Sequence, residues 1–132
     1  MKGLDTNVLV RYLTQDDPKQ SAWATREIEG AAARGEKFFL QPMVLCELVW
    51  VLESAYHLPK PDILKVLERI LRTAQFEMAE KEVLWLALAD YRPGKGDFSD
   101  YHLGRANQRD GAEMTLTFDR ALKEDPRLQV LK

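Results

Sequence analysis

Met1-Lys2-Gly3-Leu4-Asp5-Thr6-Asn7-Val8-Leu9-Val10-Arg11-Tyr12-Leu13-Thr14 is the stretch on which the fold class turns. Met1 to Leu4 reads as a short buried strand, and Asn7 to Thr14 as a helix with Val8, Leu9, Tyr12 and Leu13 on one side. Asp5 therefore falls at the C-terminal end of a strand. Working outward, Asp17-Pro18 is a helix start, an N-cap followed by a proline whose missing N–H costs nothing there, and that helix runs to Arg34 before Gly35 stops it. Phe38 to Leu40 is the next strand, and Pro42 opens a strongly apolar helix to about Tyr56. Its apolar residues cover much of its circumference, which predicts a central position. Pro59 and Pro61 separate it from an amphipathic helix over Ile63 to Ala74, and the two are expected to form a helical hairpin.

The second half continues the alternation. Phe76 to Ala79 reads as a strand, Lys81 to Tyr91 as a helix, and Arg92 to Gly96 as a loop leading to Asp97. A helix follows from Phe98 to about Arg109 and ends at Gly111. Met114 to Phe118 reads as a strand, Asp119 to Glu124 as a short helix, and Leu128 to Leu131 as a last strand. Strands alternating with helices predict an α/β fold with a mainly parallel sheet, and such sheets place their sites beyond the C-terminal ends of the strands. Asp5 and Asp119 both fall there.

Composition narrows the class. At 132 residues, 45% of them hydrophobic, the chain has the length of one domain, expected over 1–132, with enough apolar surface for a core. The lone Cys46 cannot form an internal disulfide and lies in an apolar run, which suits a buried, inert thiol in a reducing cytoplasm. Asp5 interrupts the first apolar stretch, and no apolar run approaches the roughly 20 residues that a membrane helix needs, so a soluble protein outside the membrane is expected. Nineteen Lys and Arg against twenty-one Asp and Glu give a net charge of -2, which argues against a reader of duplex DNA. A nuclease stays open, because acids concentrated in a site can be neutralised by metal while basic residues elsewhere meet phosphates.

The acids carry the chemistry. Leu4-Asp5-Thr6-Asn7, Cys46-Glu47-Leu48, Gly96-Asp97-Phe98-Ser99-Asp100 and Thr117-Phe118-Asp119-Arg120 each put a carboxylate near a strand end or helix start, or, for Glu47, inside an apolar helix. Two carboxylates about 4 Å apart repel by roughly 4 kcal/mol at an effective dielectric near 20, so several together need protons or a divalent cation. Each acid also has a structural reading. Asp5, Asp97 and Asp119 can cap helices, and Asp100 can sit at the N3 position facing Asp97. An ionised Glu47 in so apolar a helix calls for a partner, a proton or a metal. His57 and His102 read as surface or core histidines, and Trp23, Trp50 and Trp85 as packing or interface residues. Phe98 and Tyr101 are the better candidates for stacking on a base. Arg11, Lys95, Arg105 and Arg120 lie close in sequence to the acids and are candidate phosphate ligands.

Taken together, Leu-Asp-Thr-Asn-Val-Leu-Val-Arg-Tyr-Leu at 4–13, Glu-Leu-Val-Trp-Val-Leu at 47–52, Asp-Phe-Ser-Asp at 97–100 and Leu-Thr-Phe-Asp-Arg at 116–120 resemble the PIN-domain family, in particular VapC-type toxin ribonucleases. The resemblance spans essentially the whole chain. It implies a three-layer sandwich with a central, mainly parallel sheet flanked by helices, in one PIN-like nuclease domain. It implies that Asp5, Glu47, Asp100 and Asp119 are the catalytic acids, with Asp97 an additional metal ligand and Thr6, Asn7 and Thr117 supporting them. Mg²⁺ or Mn²⁺ is then the cofactor, single-stranded RNA the substrate, and a metal-activated water the nucleophile that leaves a 5'-phosphate. The family also implies a homodimer and a VapB-like antitoxin partner, in the cytoplasm. After the third acid this chain departs from its relatives, carrying Tyr101-His102-Leu103-Gly104-Arg105 where a small apolar run is common.

Two further classes remain open from residues alone. A receiver-like or phosphoryl-transfer domain would phosphorylate a strand-end Asp beside Mg²⁺, but it wants paired acids after the first strand, which Asp5-Thr6-Asn7 does not offer. A catalytically silent PIN-fold binding module would keep the fold and engage a partner without cutting.

Overall fold

Helix ends fall where short acids, prolines and glycines punctuate the chain. In the computed structural model, which describes residues 1–132, the chain gathers into two units, Met1–Ala79 and Glu80–Lys132. The first contains β1 (Lys2–Gly3), α1 (Thr6–Thr14), α2 (Pro18–Ala33), β2 (Phe38–Phe39), α3 (Pro42–Ser54), α4 (Lys60–Arg72) and β3 (Phe76–Glu77). Asp17 caps α2 by accepting from the Gln20 N–H at 3.0 Å with Pro18 in the first turn, and beyond the helix end Gly35 takes a φ of 71°, a conformation that glycine adopts without strain. Pro61 lies in the first turn of α4 and does not break the chain before it, because a first-turn residue has no intrahelical N–H bond to lose. The helix therefore begins at Lys60, ahead of the expected Ile63.

The three strands pair in parallel in the order β1-β2-β3, with Lys2 opposite Phe38 and Phe38 opposite Phe76. They are shorter than the apolar runs suggest, yet the pairing continues past them, since Leu4 N–H donates to Phe39 O at 3.1 Å and Leu40 N–H to Glu77 O at 2.9 Å. Lys2 and Gly3 are exposed, against the expected buried strand, because neither offers an apolar side chain and β1 lies on the outside of this sheet. Leu9, Ile28, Leu40, Leu45, Leu48, Ile63 and Leu67 form the core of the unit. α1 packs on α2 and α3, and α3 packs on α4 as the hairpin reading expects. α3 is less central than its composition suggests. Leu45, Leu48, Val49 and Leu52 are buried, but Met43 and Trp50 are exposed, Trp50 at 68%, and Cys46 is partly exposed.

A polar clasp closes the α1–α2 turn. Tyr56 Oη donates to Asp16 Oδ2 at 2.5 Å, Arg11 Nη1 donates to Asp16 Oδ1 at 3.0 Å, and Ser21 Oγ, fully buried, donates to Arg11 O at 2.8 Å. The Tyr56 hydrogen bond, followed by those of Thr14 and Arg11, lowers the Asp16 pKa from its ordinary 3.8 to about 2. A carboxyl held below its unfolded value stabilises the fold above pH 3.8 and loses that contribution as the pH falls through about 2. Urea midpoints of wild type and Asp16→Asn should therefore differ at pH 6 and converge on acidification below pH 3.8. A gap independent of pH would remove the clasp from the acid stability of the unit.

The second unit contains α5 (Lys81–Tyr91), α6 (Phe98–Arg109), β4 (Thr115–Thr117), a one-turn 3-10 helix (Arg120–Leu122) and β5 (Leu128–Val130). β4 and β5 pair in parallel, with Thr115 opposite Leu128 and Thr117 opposite Val130. α5 and α6 pack closely, and Tyr91 meets Phe98 edge to face at 5.7 Å. Asp90 ties the unit together beneath the surface. Arg105 binds it through two bonds of 2.7 and 3.0 Å, and Arg127 adds a third at 3.2 Å. Arg127 Nε, buried, lies 3.4 Å from Asp125 Oδ1 without hydrogen-bond alignment.

The loop into α6 runs so close to its neighbours that two glycines are required. A Cβ on Gly94 would lie 2.1 Å from the Tyr101 hydroxyl and 2.9 Å from the Asp90 carbonyl, and one on Gly96 would lie 2.2 Å from Leu122 Cδ2. Gly94→Ala is expected to lower stability by about 1–3 kcal/mol, as for other overpacked sites, because Tyr101 is buried and cannot swing aside. Thermal unfolding measures this, and an unchanged midpoint would contradict it. No helix is long and apolar enough to cross a membrane.

Candidate active site

Asp5 stands directly before α1 in an extended conformation, and its Oδ1 accepts from the Thr6 N–H at 2.7 Å. The capping role expected of it is real, and its carboxylate remains exposed. Thr6 is buried, and its Oγ1 donates to Glu47 Oε1 at 3.0 Å, so the first residue of α1 positions the acid on α3. Glu47 itself is exposed. It lies on the same side of α3 as Met43 and Trp50, so its apolar neighbours in sequence impose no burial on it, and this corrects the reading of a charge locked in an apolar helix. Asn7 is exposed and lines a groove with Val8, Gln20 and Trp23.

In the second unit Asp97 and Asp119 come within electrostatic reach of Asp100. Asp97 caps α6, and its N–H donates to Asp100 Oδ2 at 3.2 Å while the Asp100 N–H donates to Asp97 O at 3.0 Å. Asp119 follows β4, and its Oδ1 accepts from the Ala121 N–H at 2.9 Å. Thr117 Oγ1 accepts from the Asp119 N–H at 3.0 Å, which fixes the turn that carries the acid. Burial raises the Asp100 pKa above its ordinary value, opposed by the hydrogen bond from the Asp97 backbone and reinforced by the negative charges of Asp97 and Asp119. This is the strain that a divalent cation relieves.

The basic candidates divide into two kinds. Arg105 is engaged by Asp90, and Arg11 by Asp16 and by Gln20, whose Oε1 accepts from Arg11 Nε at 2.9 Å. Lys95 and Arg120 are exposed beside the acids of the second unit and are the two candidates whose charge faces solvent. The aromatic expectation changes more sharply. Phe98 and Tyr101, the residues favoured for base stacking, are 1% and 3% exposed and pack against Tyr91. Helical periodicity places both on the inner face of α6, a position that the motif alone does not reveal. Phe118, between Thr117 and Asp119, is 75% exposed. Its signal in the sequence is the alternation of β4 carried one residue further, since Thr115 and Thr117 are half-buried while Leu116 between them is exposed. Trp23 and Trp50, read as packing or interface residues, are exposed and do not belong to the core, Trp23 with Lys19 Nζ 5.2 Å from its ring centre. His102 is partly buried, and burial lowers its pKa and favours the neutral ring. His57 is exposed, with a φ of 52°.

No three His, Cys, Asp or Glu side chains form a ready-made ligand set. Each unit offers carboxylate oxygens: Asp5 at a helix start and Glu47 within α3, oriented by the Thr6 hydroxyl, in the first, and Asp97, Asp100 and Asp119 at element ends, oriented by backbone N–H groups, in the second. Oxygen donors of this kind suit a hard cation such as Mg²⁺ or Mn²⁺, and neither the one cysteine nor either histidine joins them.

Strands in parallel pairs, helices between them and acids at the strand ends and helix starts define an α/β domain of the PIN type, and the PIN domain family model matches residues 3–127. The chain belongs to the PIN-domain family. It is 31% identical over 124 residues to the VapC ribonuclease of Aquifex aeolicus (strain VF5), a match covering 94% of this chain and 91% of that protein. Membership of this family sets aside the receiver-like alternative.

Proposed function

We propose that this chain is a metal-dependent endoribonuclease acting on single-stranded RNA, the toxin of a VapBC-type pair, working as one PIN domain over 1–132. The observation that carries the reading is Asp100 at the start of α6, whose pKa is raised by burial and by the nearby negative charges of Asp97 and of Asp119 beyond β4. The likeness to a VapC ribonuclease supplies the reaction class.

The proposal assigns the oxygen ligands to Asp5, Glu47, Asp97, Asp100 and Asp119. Mg²⁺ or Mn²⁺, when bound, polarises the scissile phosphate and lowers the pKa of an attacking water. The chain's own residues do the positioning. Thr6 holds Glu47 through one carboxylate oxygen, Asp97 N–H holds Asp100, and Thr117 with the Ala121 N–H holds Asp119. Such fixed orientations spare the acids a reorganisation on each turnover. Asn7, beside Asp5 and Thr6, is assigned a supporting role. Exposed Lys95 and Arg120 are assigned to backbone phosphate, and Arg11 and Arg105 serve RNA only by giving up their internal partners. A homodimer, a VapB-like antitoxin and a cytoplasmic setting belong to the same proposal.

The test is cleavage of a mixed-sequence single-stranded RNA by purified protein with Mn²⁺, stopped by EDTA and restored by fresh metal. Cutting that EDTA does not affect would overturn the metal assignment. Folded protein that cuts no RNA under any divalent ion would favour the silent binding module.

A further inference from the structure

Phe118 is the most exposed aromatic side chain among the large hydrophobic residues at the surface, and it directly precedes one of the candidate metal-binding acids. A phenyl ring left in water forgoes the stabilisation that burial gives such a side chain, so its place beside the acids asks for an occupant. The backbone that presents it is held on both sides. The Leu131 N–H donates to Thr117 O at 2.7 Å, the Asp119 N–H donates to Thr117 Oγ1 at 3.0 Å, and the Ala121 N–H donates to Asp119 Oδ1 at 2.9 Å. The ring is thus mounted on an ordered turn, and little backbone freedom remains to be lost when something lies on it.

We propose that Phe118 is the base-stacking platform of this nuclease, receiving a nucleobase of the single-stranded RNA next to the scissile phosphate. The proposal rests on the reading of the acids as a ribonuclease site and deepens it. Two observations favour a nucleobase over an apolar protein segment. Exposed Lys95 and Arg120 lie in the same segments as the acids and suit the phosphates on either side of a stacked base. Phe98 and Tyr101, the other aromatics in these segments, are packed against Tyr91 and cannot stack. Leu116, two residues earlier on β4 and also exposed, extends the apolar surface under the sugar and base. Stacking needs only the π-face that every base has, so the platform adds affinity without fixing a sequence.

Binding of a fluorescent single-stranded RNA, measured in EDTA so that no cleavage occurs, tests this separately from the nuclease reading. Phe118→Ala should bind about 5- to 150-fold more weakly, the range corresponding to one lost base–aromatic stack. Phe118→Trp should bind at least as well as wild type, and Phe118→Leu, apolar but without a π-face, should resemble Phe118→Ala. With Mn²⁺ the Phe118→Ala loss should appear in KM more than in kcat. Wild-type binding by Phe118→Ala, or full recovery by Phe118→Leu, would overturn the proposal. So would a wild type that binds no RNA, or a loss of RNA binding that follows a change in oligomeric mass on sedimentation, which would mark Phe118 as a protein contact. A wild type that binds RNA through Phe118 and never cuts it would leave the platform standing and refute the nuclease reading.

Discussion

Asp5→Asn should lower metal-dependent RNA cleavage by about a thousandfold, because a ligand that stabilises transition-state charge through a bound cation contributes several kcal/mol. The same substitution should leave stability nearly unchanged. Asn caps a helix about as well as Asp, so its side-chain oxygen can still accept from the Thr6 N–H that Asp5 Oδ1 holds at 2.7 Å. Asp119→Asn should behave alike, keeping the Ala121 contact and losing activity. Asp5→Ala separates the two roles from the other side, since it loses the charge and the cap together and should cost roughly 1 kcal/mol of stability besides. Paired measurements of turnover with Mn²⁺ and of the unfolding midpoint decide the matter. An Asn variant that cuts RNA at the wild-type rate would reduce Asp5 to a helix cap.

Asp90→Ala is expected to lower stability by about 3–5 kcal/mol, on the order of 15 °C in Tm for a chain of this size. The carboxylate is 11% exposed and takes three bonds from Arg105 and Arg127, both mostly shielded from solvent. Removing it leaves the half-buried Arg105 guanidinium without its partner, while Arg127 keeps Asp125 at 3.4 Å, and the penalty comes from the unpaired charge more than from the lost attraction. The double replacement Asp90→Leu, Arg105→Leu, which leaves Arg127 with Asp125, should recover much of the loss, since a buried ion pair exchanged for apolar side chains of similar bulk is often neutral. Thermal unfolding followed by circular dichroism checks both. A single Asp90→Ala variant melting within a few degrees of wild type would show that water, and not Asp90, satisfies the arginines.

Much of the fold is legible along the chain because its signals are local. Asp17-Pro18 and Gly35 bracket α2 as read, the helix over Phe98 to Arg109 has the expected bounds, and parallel pairing follows from alternation of strand and helix. Local signals fail where a preference depends on position within an element. Pro61 looks like a break and is a first-turn residue of α4, and Phe98 and Tyr101 look like surface aromatics in an acidic motif and are core. The apolar composition of α3 says nothing about which side faces solvent, so Glu47 can be both surrounded by apolar letters and exposed.

By itself the sequence determined the class of fold and the places of Asp5, Asp97, Asp100 and Asp119 at strand ends and helix starts, since capping, periodicity and turn chemistry act within a few residues. Only the tertiary structure decided which cations are free and which aromatic is displayed. Arg105 is taken up by Asp90, fifteen residues away, and Arg11 by Asp16 and by Tyr56, forty-five residues away. Phe98 and Tyr101 are drawn inward by Tyr91 while Phe118 stays out. Those outcomes depend on contacts between segments distant along the chain, and no pattern confined to one segment encodes its partner in another.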